Sequence, residues 1–442
     1  MAEGTGHSQC LHATRPAIAI IGGRQDVAPL ALAATRSHGC FSAAVPIVQP
    51  KVSKHQVTSR PGGTMTDMPI KVGVIAEQTG PLSFMGIADA NVAQMVVDDI
   101  NADGGVLGRQ LALCLEDGAT VDSVATAKAT KLIEHDQVDV LFGGIYSSTR
   151  QAIKGPVKKN GKLYIYPEQY EGQEVEPLIF CTGPVPAQQL EPLIPWLMQK
   201  SGARKFYLPA ADYIWPRVMN KKVRELVTAN GGEIVGEEYH PLDHMEYREV
   251  VQRITASGAD VVFNTIVPPG LTPFFQELYA SGFQKRGGQI VCTYFDENFL
   301  NLVPAEQVEG LYGCLDYYQE VSEPFSRDLL ARYNKRFPGS AQFTAGSACT
   351  GLYRGMKLWE AAVREAGTLN QDEVIAALDH AKIAQGPGGP AEMVPGQHHA
   401  RMNMYIAQAT GGKFRVLASL GMIEPKEAVV SGYRSGGRPA AE

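Results

Sequence analysis

Two polar clusters stand where apolar runs stop, and their residue types suit holding a molecule better than transforming one. Val138 to Phe142 halts at Gly143-Gly144 and leads through Tyr146 into the hydroxyls Ser147-Ser148-Thr149, at the start of an expected helix. Leu163 to Tyr166 runs into the turn Tyr166-Pro167-Glu168-Gln169-Tyr170. A third cluster, Tyr213 and Trp215 in ADYIWPR, offers flat aromatic walls with polar tips. The hydroxyls can cap their helix or receive an oxygen of a ligand beside its free N–H groups. Glu168 either points to solvent or faces a closed cleft. In the second case it must be protonated or paired, with a cationic ligand or a nearby arginine as partner. No nucleophile is set against a base, and G-x-S-x-G, H-E-x-x-H and G-x-x-x-x-G-K-[ST] are all missing. His398 and His399 are adjacent on an expected strand, so they point to opposite faces and do not share an ion. No catalytic residue, cofactor or metal ligand is therefore expected.

The elements that must position these residues follow a regular rhythm from Ile70 onward. IKVGVIA reads as a strand, EQTGPLSFMG as a loop and NVAQMVVDDINADGG as a helix with a glycine stop. RQLALCLED, a helix over 121–135, and VDVLFGG follow. The rhythm restarts after Gly183 with a helix over 186–201, the strand KFYLPA, ADYIWPR as a loop, and a helix over 218–230. EIVGEEYHPL, ADVVFNTIV and QIVCTYF are the next strands. Two helices over 323–337 and 341–365 and a last strand pair over about 391–417 complete the pattern. Strands alternating with helices imply parallel sheet covered on both faces. The fold class expected is α/β, with two doubly wound lobes and more than one chain crossing between them. Ligands of such sheets sit beyond the carboxyl ends of strands, where the polar clusters fall.

At 442 residues, with 44% hydrophobic and 19% charged residues, the chain has ample material for such cores. Its net charge of −6 gives no basic footprint for nucleic acid, and no run of 18 apolar residues suggests a membrane span. Seven scattered cysteines show neither metal spacing nor a disulfide framework and read as buried thiols. Residues 1–68 stand apart. Between Val27 and Thr66 there is no Asp or Glu, and no signal-peptide core is recognisable. The segment reads as a disordered extension or upstream-start artefact, with an organelle transit peptide as the alternative, and a cytoplasmic location is favoured over a periplasmic one. The tail from 423 reads as loose.

Residues 69 to about 422 resemble the type I periplasmic-binding-protein fold in its Leu/Ile/Val-binding branch. The specific signs are YPEQYEGQE at 166–174, ADYIWPR at 211–217 and QGPGGPAEMVPGQHHARMN at 385–403. Within the branch they are similar to the amide sensor of aliphatic amidase operons and the urea-binding subunit of urea transporters. The resemblance implies two lobes joined by a multi-strand hinge that close on a ligand without chemistry. It divides the chain into 69–185 (lobe 1), 186–317 (lobe 2), 318–385 (lobe 1 again) and 386–422 (lobe 2 again). It also implies ligand contacts from Tyr146, Ser147, Tyr166, Pro167, Glu168, Gln169, Tyr170, Tyr213 and Trp215. Where the amide sensor has a small neutral residue, this chain has Glu168. The expected ligand is a small amide, urea or cationic nitrogen compound. The alternatives are a branched-chain amino acid or, from another class, an enzyme on the same fold. The expected partner is an ABC permease or a cytoplasmic regulator, with a homo-oligomer possible.

Overall fold

The computed structural model describes residues 68–344 and 348–431. Residues 1–67 of the leader lie outside them, with Cys10 and Cys40, as does the end of the tail.

Five parallel strands build the first half of the sheet: β1 (Ile70–Ala76), β2 (Leu111–Asp117), β3 (Val140–Gly143), β4 (Tyr164–Tyr166) and β5 (Ile179–Cys181). They lie in the order β2-β1-β3-β4-β5. Helices α1 (Ser83–Ala102), α2 (Asp122–Thr130) and α3 (Ser147–Asn160) connect them. β1 is buried along almost its whole length, which explains why it reads as a continuous apolar run rather than an alternating one. The second half is built alike. Its elements are α4 (Pro186–Ser201), β6 (Lys205–Ala211), α5 (Ile214–Ala229), β7 (Glu233–His240), α6 (Arg248–Ser257), β8 (Val261–Phe263), α7 (Leu271–Ala280), β9 (Gln289–Val291), the single turn α8 (Glu297–Leu300) and β10 (Tyr312–Leu315). These strands run in the order β10-β9-β8-β6-β7.

After β10 come α9 (Pro324–Arg336), α10 (Ala348–Ala366), α11 (Gln371–Leu378) and the short β11 (Lys382–Ile383), then β12 (Ala391–Val394), β13 (His399–Thr410) and β14 (Lys413–Ile423). β13 joins the two halves. Its first residue pairs with Cys181 of β5, and Tyr405–Gln408 pair antiparallel with β10. The molecule is therefore a mixed α/β fold of two parallel lobes bridged by one long strand. The crossing is locked by Arg354 of α10. Its guanidinium contacts Asp316, just after β10, at 2.6 Å and donates to the Thr182 carbonyl, just after β5, at 2.6 Å.

Several details differ from the sequence expectation. The strand pair read over about 391–417 is three strands, β12, β13 and β14, and the helix read over 341–365 is not helical at 341–344 and runs as α10 from Ala348. α1 begins at Ser83, inside the stretch read as a loop, because Gly86 is needed for a close approach: a Cβ there would lie 2.2 Å from the Glu77 carbonyl oxygen. ADYIWPR is not all loop, since α5 starts at Ile214 and Pro216 occupies its first turn, where a missing N–H costs nothing. The tail is anchored through residue 431. Lys426 pairs with Glu191 at 2.5 Å, Glu427 accepts from the Gln173 N–H at 2.7 Å, and the Val430 N–H donates to the Gly396 carbonyl at 2.7 Å. Among the described residues all five cysteines are free thiols, no helix is long and apolar enough to cross a membrane, and no group of three His, Cys, Asp or Glu is placed to hold a metal.

Candidate ligand-binding site

The site grows from the carboxyl ends of three strands in each half. β1 leads to Leu82 and Met85, β3 to Ile145, Tyr146 and Ser147, and β4 to Glu168 and Gln169. Across the gap, β6 leads to Tyr213 and Trp215, β8 to Val267 and Pro268, and β9 to Tyr294 and Phe299. These residues enclose one small cavity. The space open to the centre of a water-sized sphere is about 40 Å³, where one water needs roughly 10–15 Å³.

Backbone packing fixes the polar wall. At the end of β3, Gly143 has φ +111°, and a Cβ there would meet the Ile75 carbonyl oxygen at 1.9 Å, so only glycine lets the chain turn towards Ser147. The turn carrying Glu168 is gripped from both sides. A Cβ on Gly183 would lie 2.2 Å from the Glu168 carbonyl, and one on Gly351 would lie 1.9 Å from that of Pro167.

Aromatic rings form the rest of the box. Tyr146 meets Tyr213 at 5.7 Å between centroids, Trp215 meets Tyr294 edge-on at 5.6 Å, and Tyr294 meets Phe299 at 5.1 Å. Two polar contacts tie the halves together. The Tyr146 hydroxyl donates to the Pro268 carbonyl at 3.3 Å, and Gln189 Nε2 donates to Gln169 Oε1 at 2.7 Å.

Glu168 is the exceptional group in this box. It lines the cavity and is 4% exposed; Oε1 accepts only the N–H of Gln169, and Oε2 is buried without a partner. Burial, then the nearby Asp89 carboxylate, push its acid well above the usual carboxylate range, and Asp296 and Glu77 add to the effect. Asp89 is itself buried with both oxygens unpartnered, and burial pushes Glu77 up to about 8. No arginine or lysine lines the cavity. The solvent-facing alternative for Glu168 does not apply to this structure.

The nine expected site residues fall into two groups. Tyr146, Ser147, Glu168, Gln169, Tyr213 and Trp215 come together on the cavity wall, whereas Tyr166, Pro167 and Tyr170 do not. The Tyr166 hydroxyl donates to the Ile145 carbonyl at 2.7 Å, and Tyr170 pairs with the ring of His399, so both support the wall from behind. His398 instead stacks on Phe180 with centroids 3.9 Å apart. None of the three hydroxyls caps α3. Ser147 donates to Glu171, while Ser148 and Thr149 donate to Asp122 at 3.1 and 3.0 Å. Sequence reasoning missed Leu82, Met85, Ile145, Val267, Pro268, Tyr294 and Phe299. Applying the strand-end rule to VVFNTIVPPG and QIVCTYF would have found Val267 and Tyr294.

A binding crevice at the carboxyl ends of two doubly wound lobes agrees with what the chain is similar to. The family model described as periplasmic binding protein matches residues 69–413. The Leu/Ile/Val-binding protein homolog 6 of Brucella abortus is 23% identical over 358 residues, covering 78% of this chain and 89% of that protein. A solute-binding protein of an ABC transporter from Rhodopseudomonas palustris, solved with 3,4-dihydroxybenzoic acid, superposes with a TM-score of 0.72 at 23% identity. It covers 81% of this chain and 99% of its own. LivJ of Streptococcus pneumoniae, a branched-chain amino acid transporter substrate-binding protein solved with isoleucine, gives a TM-score of 0.70 at 20% identity over 80% of this chain and 99% of its own. With the match running through both lobes and the joining strand, the chain belongs to the periplasmic binding protein family.

Proposed function

We propose that this chain is the non-catalytic substrate-binding component of an ABC-type importer, and that its cleft takes a small compound bearing an ammonium group, foremost an aliphatic amino acid. The observation that carries the reading is the buried Glu168 carboxyl, its Oε2 without a partner, inside an aromatic box without a cation. A carboxylate beside ring faces attracts a positive group, through a charge-assisted hydrogen bond and through the quadrupoles of Tyr and Trp. The amino end of the ligand contacts Glu168. Its carboxylate meets the N-terminus of α3 at Ser147, where backbone N–H groups favour an anion. The apolar side chain rests on Leu82, Met85 and Phe299. The names of the relatives support an amino acid, while the acidic wall argues against an aromatic acid such as the one bound by the Rhodopseudomonas protein.

The mechanism is closure of residues 69–185 and 318–385 against 186–317, with β13 as part of the hinge. A ligand that binds the closed form better shifts the population towards it, and a membrane permease then receives the cargo. A second reading, a small amide, urea or guanidine, is favoured by the small cavity and by the motif YPEQYEGQE. A thermal-shift panel of leucine, guanidine, urea, acetamide and benzoate separates the two. At about 100 times its dissociation constant a ligand stabilises by about 2.7 kcal/mol, so one class should stand out. Leucine is expected to raise the melting temperature. A shift with acetamide or urea alone would transfer the assignment to the second reading, and one with benzoate alone would overturn both.

A further inference from the structure

Another hollow, of about 460 Å³, lies between α8 of the second half, α9 and the turn that joins β13 to β14. That is the size of a small-molecule site. The turn α8 separates it from the cleft: Phe299 lines the cleft cavity, whereas Glu297 and Leu300 line the hollow. The floor is polar and built. Glu297 is 8% exposed, Oε1 accepts the Gln319 N–H at 2.8 Å, and Oε2 has no partner. Beside it, Gln319 Nε2 donates to Gln342 Oε1 at 3.0 Å, which fixes both amides. Leu330 and Phe414 give an apolar side, and Lys413 stands on the rim. The neighbouring Arg415 is spent on Glu320 at 2.6 Å, but no carboxylate lies in ion-pair range of Lys413 among the described residues.

We propose that this hollow is a second binding site, distinct from the interlobe cleft, for a small compound with an ammonium group at one end and an anionic group at the other. The ammonium meets the Glu297 carboxyl at the floor, the anion reaches Lys413, and the intervening carbons lie on Leu330 and Phe414. Burial, then the adjacent Asp296 carboxylate, push Glu297 up to about 8, so the empty floor is neutral and an arriving cation restores its charge. The other ionisable groups around it are Tyr317, Tyr318, Glu320, Lys413 and Arg415. Because α8 forms a wall of both sites, occupancy here also bears on the position of Phe299 in the cleft.

The probe is 4-aminobutanoate, titrated calorimetrically into the full chain, with butylamine and butanoate as single-ended controls. We expect saturable binding that persists in Glu168→Gln and weakens at least about tenfold, or about 1.4 kcal/mol, in Glu297→Gln. Butylamine should bind more weakly and butanoate not at all. Asn301→Trp, a change at an exposed residue of the wall, should block the hollow without disturbing the fold. It decides the matter if Glu297→Gln fails to fold. Binding that survives Asn301→Trp, binding lost in Glu168→Gln, or no binding at millimolar probe would overturn the proposal. The outcome does not depend on what the cleft takes.

Discussion

Glu168 and Glu171 belong to one loop, three residues apart, and are buried to 4% and 3% exposure, yet their surroundings are opposite. Glu171 accepts from Ser147 and from Arg150 at 2.9 Å. Arg150 also reaches Glu174 at 3.2 Å and lies over the Tyr170 ring at 4.3 Å. Lys154 completes that cluster with a contact to Glu174 at 2.6 Å. Burial raises Glu174, but the Lys154 hydrogen bond and the Arg150 charge outweigh it and hold the acid below the usual range. Glu168 has three further carboxylates nearby, those of Asp89, Asp296 and Glu77, instead of a cation and is pushed the other way. The comparison teaches that burial alone does not distinguish a structural carboxylate from one waiting for a ligand. The presence of a partner does.

The largest effect should come from breaking the paired side. Arg150→Met leaves Glu171 and Glu174 buried with too few positive partners, and breaking such a cluster costs about 3–5 kcal/mol. Chemical denaturation should show that loss, while Glu168→Gln, which removes no partner, should keep or raise the stability of the empty protein. Equal losses in the two variants would erase the distinction.

A smaller effect, of opposite sign in pH, sharpens it. Glu168 and Glu77 have folded-state acids raised above their unfolded values. The folded protein therefore holds more protons than the unfolded chain from about pH 4.5, the unfolded carboxyl value, upward to about pH 8 for Glu77, and stability falls as pH rises through that window. Glu174 behaves conversely. Its contribution is present above the unfolded value and is lost only as pH drops through its depressed one. Melting curves between pH 5 and 8 should slope downward in the wild type and less so in Glu168→Gln, by at most about 1.4 kcal/mol per pH unit for one group. Identical slopes would mean that Glu168 does not carry the proton.

Much of this was legible in the sequence because it rested on patterns of single segments. β1 and α4 fall where the apolar runs and the helix signals put them, and the motif YPEQYEGQE marked the turn that carries Glu168. What stayed hidden depended on distant neighbours. Nothing local says that Gly86 and Gly183 are small because Glu77 and the Glu168 carbonyl press on them. The direction of Tyr170 is set by His399, 229 positions away, and a ring at a strand end reads the same whether it lines a wall or supports one. The pairing of Ser147 with Glu171 was equally invisible, so its hydroxyl read as a helix cap or a ligand contact.

The most direct test is calorimetric titration of leucine into wild type and Glu168→Gln at pH 7, in two buffers of different ionisation heat. The account predicts that wild-type binding releases a proton, because the empty site keeps its buried carboxyl protonated and the arriving ammonium displaces that proton. Glu168→Gln should bind more weakly by about 2–5 kcal/mol and release none. Unchanged affinity with the same proton count in both proteins would contradict the claim that Glu168 receives the positive end of the ligand.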